Sequence, residues 1–354
     1  MNRLDLAVAG GRKTQDIVDR CAASDGERIL VVTYTLANQR ELRDRLALKG
    51  PLAAQVEVQG WFSFLLNHLV KPYLPCLFAG RRLRGLNFDG DPGVYAKGEG
   101  RFLDGEGRAY ALHLAQLAFQ TAEASGGAAC NRLERIYDQI YVDEVQDLNG
   151  WDLEVLLALA MSEVDLSMVG DVRQALLLTN PRDQKNSQYK GVQIKKWFDL
   201  VESKGLLEVT HSSMTWRCNQ AIADFADCIF GEDWGFEKTT SMSDVQTGHD
   251  GVFAVHPDNL DRYMATFEPS CLRHSVASAK DLKLPFINFG IAKGMSVDRV
   301  LIAPTGPMTE FLRKGKPLED QAACALYVAV TRARCSVAFV TEHADKIGPD
   351  EWTP

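Results

Sequence analysis

The chain reads RIYDQIYVDEVQDL at residues 135–148, an apolar, β-rich run that ends at acidic residues. This pattern predicts a buried strand with Asp143 and Glu144 at its carboxyl end. Two other β-rich apolar runs occur elsewhere, RILVVTYT (28–35) and VDLSMVGD (164–171), and the second of them also ends at an acidic residue, Asp171. Because ligands bind outside the carboxyl ends of parallel strands, the two acidic residues are candidates for a functional site.

Helical stretches follow two of these strands, namely ANQRELRDRLAL (37–48) and DLEVLLALAM (152–161). A second set of strands is predicted at FAVH (253–256), DRVLIAPT (298–305) and CSVAFVTE (335–342). Strands that alternate with helices are typical of α/β domains with parallel sheets. We therefore expect two α/β domains, 1–205 and 206–354, with a small glycine-rich and charged insertion at about 77–128 in the first.

Composition narrows the class of protein. The chain has 354 residues, of which 46% are hydrophobic, and its net charge is −8, so no global basic field indicates a nucleic-acid partner. A local basic groove on an acidic protein remains compatible with nucleic acid. The eight cysteines form no C-x-x-C pair, and no signal peptide or apolar run long enough to span a bilayer is recognised. We expect reduced thiols in a cytoplasmic protein that does not enter the membrane.

The two carboxylates at the end of the 135–148 run have two interpretations. Asp143 could hold Mg²⁺ while Glu144 takes a proton from water. Alternatively, both could be acidic residues that the dipole of a following helix favours at its N-terminus.

The segment AVAGGRKTQDIV (7–18) is similar to the phosphate-binding pattern G-x-x-x-x-G-K-[ST], but Ala7 and Arg12 stand where that pattern has glycine. Gly10 and Gly11 retain flexibility just before Arg12. If the loop turns at these glycines, Arg12 needs no positive φ. We therefore expect an altered loop that still binds nucleotide.

Several blocks together resemble the motifs of one protein family, the UvrD/Rep-like superfamily 1 helicases. In chain order, these blocks are VVTYTLANQRELRDRL (31–46), VEVQGWFSFLLNHL (56–69), YVDEVQDL (141–148), VGDVRQALL (169–177), SSMTWRCNQAI (212–222), NFGIAKGMSVDRVLI (288–302) and LYVAVTRARCSVAF (326–339). The resemblance extends from residue 6 to residue 341. It implies two RecA-like P-loop domains that hydrolyse ATP in the cleft between them and move 3′→5′ on single-stranded DNA, with RNA not distinguished.

The resemblance also implies a role for each matching residue. Lys13 would contact the β- and γ-phosphates, Thr14 and Asp143 would hold Mg²⁺, and Glu144 would be the base for the attacking water. Gln174 would sense the γ-phosphate, and Trp216 would stack on adenine. Arg217 and Arg332 would stabilise the transition state. The remaining nucleotide contacts would be Gly10, Gly11, Arg12 and Gly294. An interdomain salt bridge is the alternative for the two arginines, and a core position is the alternative for the tryptophan.

For single-stranded nucleic acid, the candidates are Tyr34, Thr35, Asn38 and Trp61, since aromatic rings stack on bases without reading their sequence. Trp61 could equally be a core residue, and for Phe64 the core is the preferred interpretation. The basic cluster Arg81, Arg82 and Arg84 could contact phosphates or form a solvated loop.

The chain departs from the family at three places. It has no N-terminal glutamine motif for adenine, Ala175–Leu178 follow Gln174 where the family has DNA-stacking aromatics, and Ser296 stands where motif V has glutamate. Arg12 and the missing aromatics after Gln174 favour a second hypothesis, an ATP-gated module that binds nucleic acid or a partner without translocation. The short stretch of about seventy residues between Arg217 and Gly290, where the larger relatives have an accessory domain, and the same missing aromatics predict poor unwinding without a partner, such as a nuclease or another DNA-processing subunit.

Overall fold

The computed structural model describes residues 2–24, 26–51 and 53–354. The strands are β1 (Arg3–Ala7), β2 (Ile29–Thr33), β3 (Glu57–Gly60), β4 (Gly85–Asn87), β5 (Arg108–Tyr110), β6 (Gln139–Val142), β7 (Asp165–Gly170), β8 (Glu208–Ser212), β9 (Met214–Thr215), β10 (Thr240–Ser241), β11 (Gly251–Val255), β12 (Ser270–Arg273), β13 (Ile287–Asn288), β14 (Val297–Ala303), β15 (Ala333–Val340) and β16 (Asp350–Glu351).

The α-helices alternate with these strands along most of the chain. They are α1 (Lys13–Ala23), α2 (Leu36–Leu48), α3 (Trp61–Phe64), α4 (Leu74–Leu77), α5 (Glu99–Phe102), α6 (Leu114–Ala124), α7 (Ala128–Ile136), α8 (Trp151–Ala160), α9 (Ile194–Ser203), α10 (Gln220–Asp227), α11 (Leu260–Phe267), α12 (Phe289–Ala292), α13 (Gly306–Lys314) and α14 (Asp320–Val330). A π-helical segment, Leu65–Val70, continues α3. Among the described residues, no helix combines the length and apolar character needed to cross a bilayer.

The first sheet has the strand order β3-β2-β6-β7-β1-β8 in the described part of the chain. The neighbours from β3 through β1 pair in parallel. Every residue of β2 is buried, as expected for a strand covered on both faces. Side chains of α1 and α2, among them Ile17, Val18 and Leu42, form one core cluster with Val31 of this strand. The strands predicted at 28–35, 135–148 and 164–171 are confirmed as β2, β6 and β7.

The second sheet has the order β13-β12-β14-β15-β11-β16, again within the described residues, and all of its neighbouring strands are parallel. Helix α14 is buried from Ala323 to Val330, because its apolar and small residues surround the whole helix axis. On this sheet, Val255, Leu301 and Ala338 pack with Tyr263 of α11. The three strands predicted in the second half are therefore confirmed.

Residues 77–128 form the smaller structure that the sequence predicts on the first sheet. Strands β4 and β5 pair in parallel with Leu86 opposite Ala109. Helix α6 then packs against α8 and the π-helical segment. The fold class is thus confirmed: an α/β chain with two parallel sheets and a small insertion.

The chain forms two compact units. One comprises Met1–Leu6, Lys13–Gly170 and Leu178–Thr210, and the other comprises Ala7–Arg12, Asp171–Leu177 and His211–Pro354. The boundary at 210/211 lies a few residues after the predicted one. The loop before α1 and the segment after β7 belong to the second unit, which the predicted ranges did not anticipate.

Candidate active site

In the first unit, α1 and β6 bring two predicted metal ligands together. Thr14 lies in the first turn of α1, and its hydroxyl donates to Asp143 Oδ2 at 3.2 Å. Asp143 directly follows β6 and is 2% exposed. A helix N-terminus directs backbone N–H groups and a positive dipole end toward a bound anion. These hydroxyl and carboxylate oxygens therefore lie where a phosphate and its counter-ion could bind.

The charges around Asp143 suit a cation. Burial, together with the neighbouring Glu144 carboxylate, raises the pKa of Asp143 above its ordinary value, while Lys13 and Thr14 act in the opposite direction. No group of three or more His, Cys, Asp or Glu side chains within the described residues could hold a metal ion. Mg²⁺ is usually bound by one or two protein oxygens together with substrate phosphates and water. The Thr14 and Asp143 oxygens fit that mode of binding.

Glu144 has an unusual backbone conformation. Its φ is 57°, in the left-handed region, its N–H donates to Asp143 Oδ1 at 2.9 Å, and its side chain accepts from Gln146 Nε2. A non-glycine residue in this region costs about 1–2 kcal/mol. Strained residues cluster at functional sites, where the surrounding structure holds them. The strain thus supports the prediction of a reactive carboxylate at this position.

In the second unit, residues 7–12 form a loop that is hydrogen-bonded to the segment that precedes α10. Thr215 Oγ1 donates to the Ala9 carbonyl at 2.7 Å, and the Trp216 N–H donates to the Gly10 carbonyl at 3.1 Å. Gly10 has a φ of 76°, and a Cβ there would lie 2.5 Å from the Cβ of Arg217. Glycine is therefore required at position 10 for both conformation and space.

The structure corrects the expectation for Arg12. This residue has a φ of 61°, so the loop does not complete its turn at the glycines, and Arg12 adopts the left-handed conformation itself. Its guanidinium carbon lies 4.6 Å from the centroid of the half-buried Trp216 ring. A cation–π contact at an exposed site contributes about 0.5–1 kcal/mol, which offsets part of the backbone strain.

Gln174 and Arg332 lie in contact in this unit. Arg332 Nη2 donates to Gln174 Oε1 at 3.1 Å, and Gln174 Nε2 donates to Asp171 Oδ2 at 2.9 Å. Arg332 is 2% exposed, and its Nε donates to the Val328 carbonyl at 2.8 Å. Its guanidinium is therefore held in one orientation beside Gln174.

Arg217 and the 293–294 turn complete this group. Arg217 Nη1 donates to the carbonyl of Thr331, the neighbour of Arg332, at 3.0 Å. Lys293 Nζ donates to the Gln174 carbonyl at 3.1 Å, and the next residue, Gly294, has a φ of 92°. The sequence blocks around Gln174, Arg217, Gly294 and Arg332 thus meet within one unit.

The predicted nucleic-acid residues differ in accessibility. Tyr34, Thr35 and Asn38 are half-buried, and Thr35 caps α2 by accepting the Asn38 N–H at 3.1 Å. Trp61 is a correction: it is 1% exposed, and its indole N–H donates to Asp152 at 2.6 Å, so no face of the ring is open to a base. The core position preferred for Phe64 is confirmed by its 0% exposure.

Sequence reasoning assigned no role to Tyr327 or Arg173. The Tyr327 hydroxyl accepts the Ala9 N–H at 3.2 Å and donates to Asp171 at 3.2 Å. Arg173 lies over the Tyr327 ring at 4.6 Å and pairs with Asp227 at 2.9 Å. Both residues stand inside the motif-like blocks, which was the only available signal.

No known family profile and no curated protein matches the chain. Solved structures similar to it include the PRRSV helicase, with 17% identity, a TM-score of 0.46, and coverage of 97% of this chain and 52% of that one. Arterivirus nonstructural protein 10, a helicase, has 14% identity, a TM-score of 0.49, and coverage of 96% and 59%. The same arterivirus protein in complex with DNA has 14% identity, a TM-score of 0.50, and coverage of 96% and 61%.

The chain therefore spans only 52–61% of the length of these proteins. At such identities the likeness is one of fold. The likeness to the DNA-bound arterivirus helicase, at a TM-score of 0.50, is consistent with two RecA-like domains.

Proposed function

We propose that this protein is an NTP-hydrolysing motor of the superfamily 1 helicase type, with ATP and Mg²⁺ as its cofactors. The observation that carries the proposal is the hydrogen bond between Thr14 and Asp143, which places a hydroxyl and a buried carboxylate beside the strained Glu144. The resemblance of the sequence blocks to UvrD/Rep-like helicases and the likeness in fold to a helicase support it.

Each residue has a defined part in the proposed reaction. Lys13 binds the β- and γ-phosphates, and Thr14 and Asp143 are the residues that would hold Mg²⁺, whose charge would neutralise that of the phosphates. Glu144 orients the attacking water and accepts its proton. The other side chains act on the nucleotide: Gln174, Arg217 and Arg332 stabilise the charge of the transferring phosphoryl group, and Trp216 stacks on the base.

The proposed polymer is single-stranded DNA, tracked in the 3′→5′ direction, as the family resemblance implies. Tyr34, Thr35 and Asn38 remain the proposed contacts, since their side chains are partly accessible. Arg81, Arg82 and Arg84 lie in the insertion, where Arg81 pairs with Glu99 at 2.9 Å. A nuclease or another DNA-processing subunit, in the cytoplasm, is the partner proposed for unwinding.

A second function is favoured by the loop. Arg12 adopts a left-handed conformation over Trp216, and leucines rather than aromatics follow Gln174. These features suit an ATP-gated module that binds nucleic acid or a partner without stepping along it.

Steady-state ATP hydrolysis with and without single-stranded DNA distinguishes the two functions. The motor predicts turnover that DNA stimulates, and that stimulation should disappear in Glu144→Gln but persist in Glu123→Gln, a matched change at an exposed glutamate on α6. DNA binding that ATP alters, without turnover, would establish the module instead. A protein that neither binds nor hydrolyses ATP would contradict both.

A further inference from the structure

Tyr327 occupies an unusual position for a tyrosine. It lies on α14 with 1% exposure, among residues that are almost all apolar. Its hydroxyl nevertheless meets two polar groups that are distant in sequence: it accepts the Ala9 N–H at 3.2 Å and donates to Asp171 Oδ2 at 3.2 Å. Both capacities of the phenol are therefore used, one toward the loop 7–12 and the other toward the segment 171–177.

The surroundings of Tyr327 fix its ring and keep its proton in place. The Arg173 guanidinium lies 4.6 Å from the ring centroid, and the Phe230 ring lies edge-on at 5.8 Å. Burial, above all, raises the pKa of the Tyr327 hydroxyl above its ordinary value, so the group stays protonated at neutral pH and can donate.

Asp171 extends these contacts to the sensor glutamine. Its Oδ2 atom, which receives the Tyr327 hydroxyl, also accepts from Gln174 Nε2 at 2.9 Å, and its Oδ1 accepts the Arg173 N–H at 3.1 Å. Gln174 Oε1 in turn accepts from Arg332 Nη2 at 3.1 Å. A continuous series of hydrogen bonds therefore runs from Ala9 through Tyr327, Asp171 and Gln174 to Arg332, all within the second unit.

We infer that Tyr327 is a positioning residue, whose hydroxyl holds the phosphate-loop backbone and the Gln174 side chain in one fixed arrangement. The inference rests on the proposed function, in which the loop binds phosphate and Gln174 senses it. Without the hydroxyl, the Ala9 N–H and Asp171 each lose a buried partner. Gln174 then still donates to Asp171, but that carboxylate is no longer connected to the loop through hydrogen bonds of the Tyr327 hydroxyl.

The test is Tyr327→Phe, which removes one oxygen and keeps the ring that packs on Arg173 and Phe230. The matched control is Tyr263→Phe in the same unit: Tyr263 is 0% exposed, and its hydroxyl is hydrogen-bonded to His249 Nε2 at 3.0 Å. Both variants lose a buried hydroxyl with a partner, so a general cost of that loss appears in both. Thermal unfolding of the two variants measures that cost.

The first readout is amide hydrogen exchange without nucleotide, in peptides that cover 7–12 and 171–177. We expect faster exchange in both peptides for Tyr327→Phe and wild-type exchange there for Tyr263→Phe. The second readout is ATP hydrolysis, in which kcat should fall about tenfold, as for one lost hydrogen bond in the transition state, while KM changes less than about threefold.

Wild-type exchange in both peptides for Tyr327→Phe would overturn the inference, as would an equal loss of kcat in the two variants. If the wild-type protein hydrolyses no nucleotide, the proposed function fails. The exchange experiment then still decides whether Tyr327 holds the loop and the 171–177 segment.

Discussion

The guanidinium of Arg12 lies against the ring of Trp216, 4.6 Å from its centroid, from a residue whose backbone is in the left-handed region at a φ of 61°. Arg12 therefore does not simply add a phosphate contact to the proposed phosphate loop. In this structure its charge covers one face of the aromatic ring proposed to stack on the base.

Replacing Arg12 with glycine should strengthen ATP binding about two- to fivefold, because it frees that ring face from a cation–π contact that competes with the base. Binding of inorganic triphosphate, which has no base, should change much less. The measurement is calorimetric titration of both ligands, with Arg12→Lys as a control that keeps the charge and the side-chain length. Weaker binding of both ligands to Arg12→Gly would show instead that Arg12 contacts phosphate.

Arg217 and Arg332 should act on the transition state. Arg217→Ala and Arg332→Lys are each expected to lower kcat by a factor on the order of 10³, with a much smaller change in ATP affinity. Arg332→Lys keeps a charge at this buried site but cannot reproduce the guanidinium contacts with Gln174 and Val328.

The matched control for this pair is Arg334→Ala, two residues further along the same block, where the arginine pairs with Asp298 at 2.7 Å. Steady-state kinetics and a nucleotide-binding titration check the prediction. Wild-type turnover in both single variants would show that the two arginines have a structural role and do not act on the transition state.

The free energy of unfolding should depend on pH because of Asp152. Burial, above all, raises its pKa from the ordinary 3.8 to about 6, although Thr179 and Trp61 donate to it. The folded protein therefore holds this proton more tightly than the unfolded chain does. The resulting stabilisation is complete below pH 3.8 and disappears as the pH rises through about 6.

Urea unfolding of the wild type and of Asp152→Asn over this range measures the effect. The free energy of unfolding of the wild type, relative to the variant, should increase as the pH falls from about 6 to about 4. Asp44→Asn, on the exposed face of α2, controls for the removal of a surface carboxylate. A difference between wild type and Asp152→Asn that does not change with pH contradicts the assignment.

We expect the protein alone to unwind duplex DNA poorly. Only residues 218–289 separate Arg217 from Gly290, and β10 to β13 with α10 and α11 lie in that stretch, whereas the larger UvrD/Rep-like helicases that the sequence blocks resemble have an accessory domain there. Leucines 176–178 also stand where those helicases have the aromatics that couple closure to a step. Opening a base pair costs about 1.4 kcal/mol in stacking. A motor that binds the strand weakly therefore tends to move backwards instead of separating the pair.

A strand-displacement assay on a 3′-tailed duplex with the purified monomer checks this expectation. Movement along a single strand without displacement agrees with it. Rapid unwinding of long duplexes at low protein concentration, with no partner present, is the result that contradicts it.

The two sheets could be predicted because their central strands are short runs rich in β-branched and apolar residues, as in β2, and both the length and this enrichment favour buried strands over helices. The conformation of Arg12 could not. Both Gly10 and Arg12 have positive φ values, and the backbone of this loop is hydrogen-bonded to Trp216, a residue distant in sequence, so the spacing of the loop residues does not reveal its conformation.

Contacts between residues distant in sequence also explain why the burial of Trp61 and the role of Tyr327 could not be predicted. Trp61 and Phe64 stand in one aromatic segment, and only the fold shows that both are buried and that Asp152 receives the indole N–H. Tyr327 meets Ala9 and Asp171 across 318 and 156 positions of sequence. A single sequence carries the residue types of such a network but not their pairing.

Glu144 is proposed as the base at a nucleotide site built on Lys13, Thr14 and Asp143, and a comparison of binding and turnover in Glu144→Gln tests this role most directly. This variant should bind ATP with near wild-type affinity and lose turnover by a factor of about 10²–10⁴, as expected for a missing general base. Lys13→Ala, in contrast, should lose both affinity and turnover, because it removes the charge that binds the phosphates. Wild-type ATP turnover in Glu144→Gln would contradict the role of Glu144 as the base.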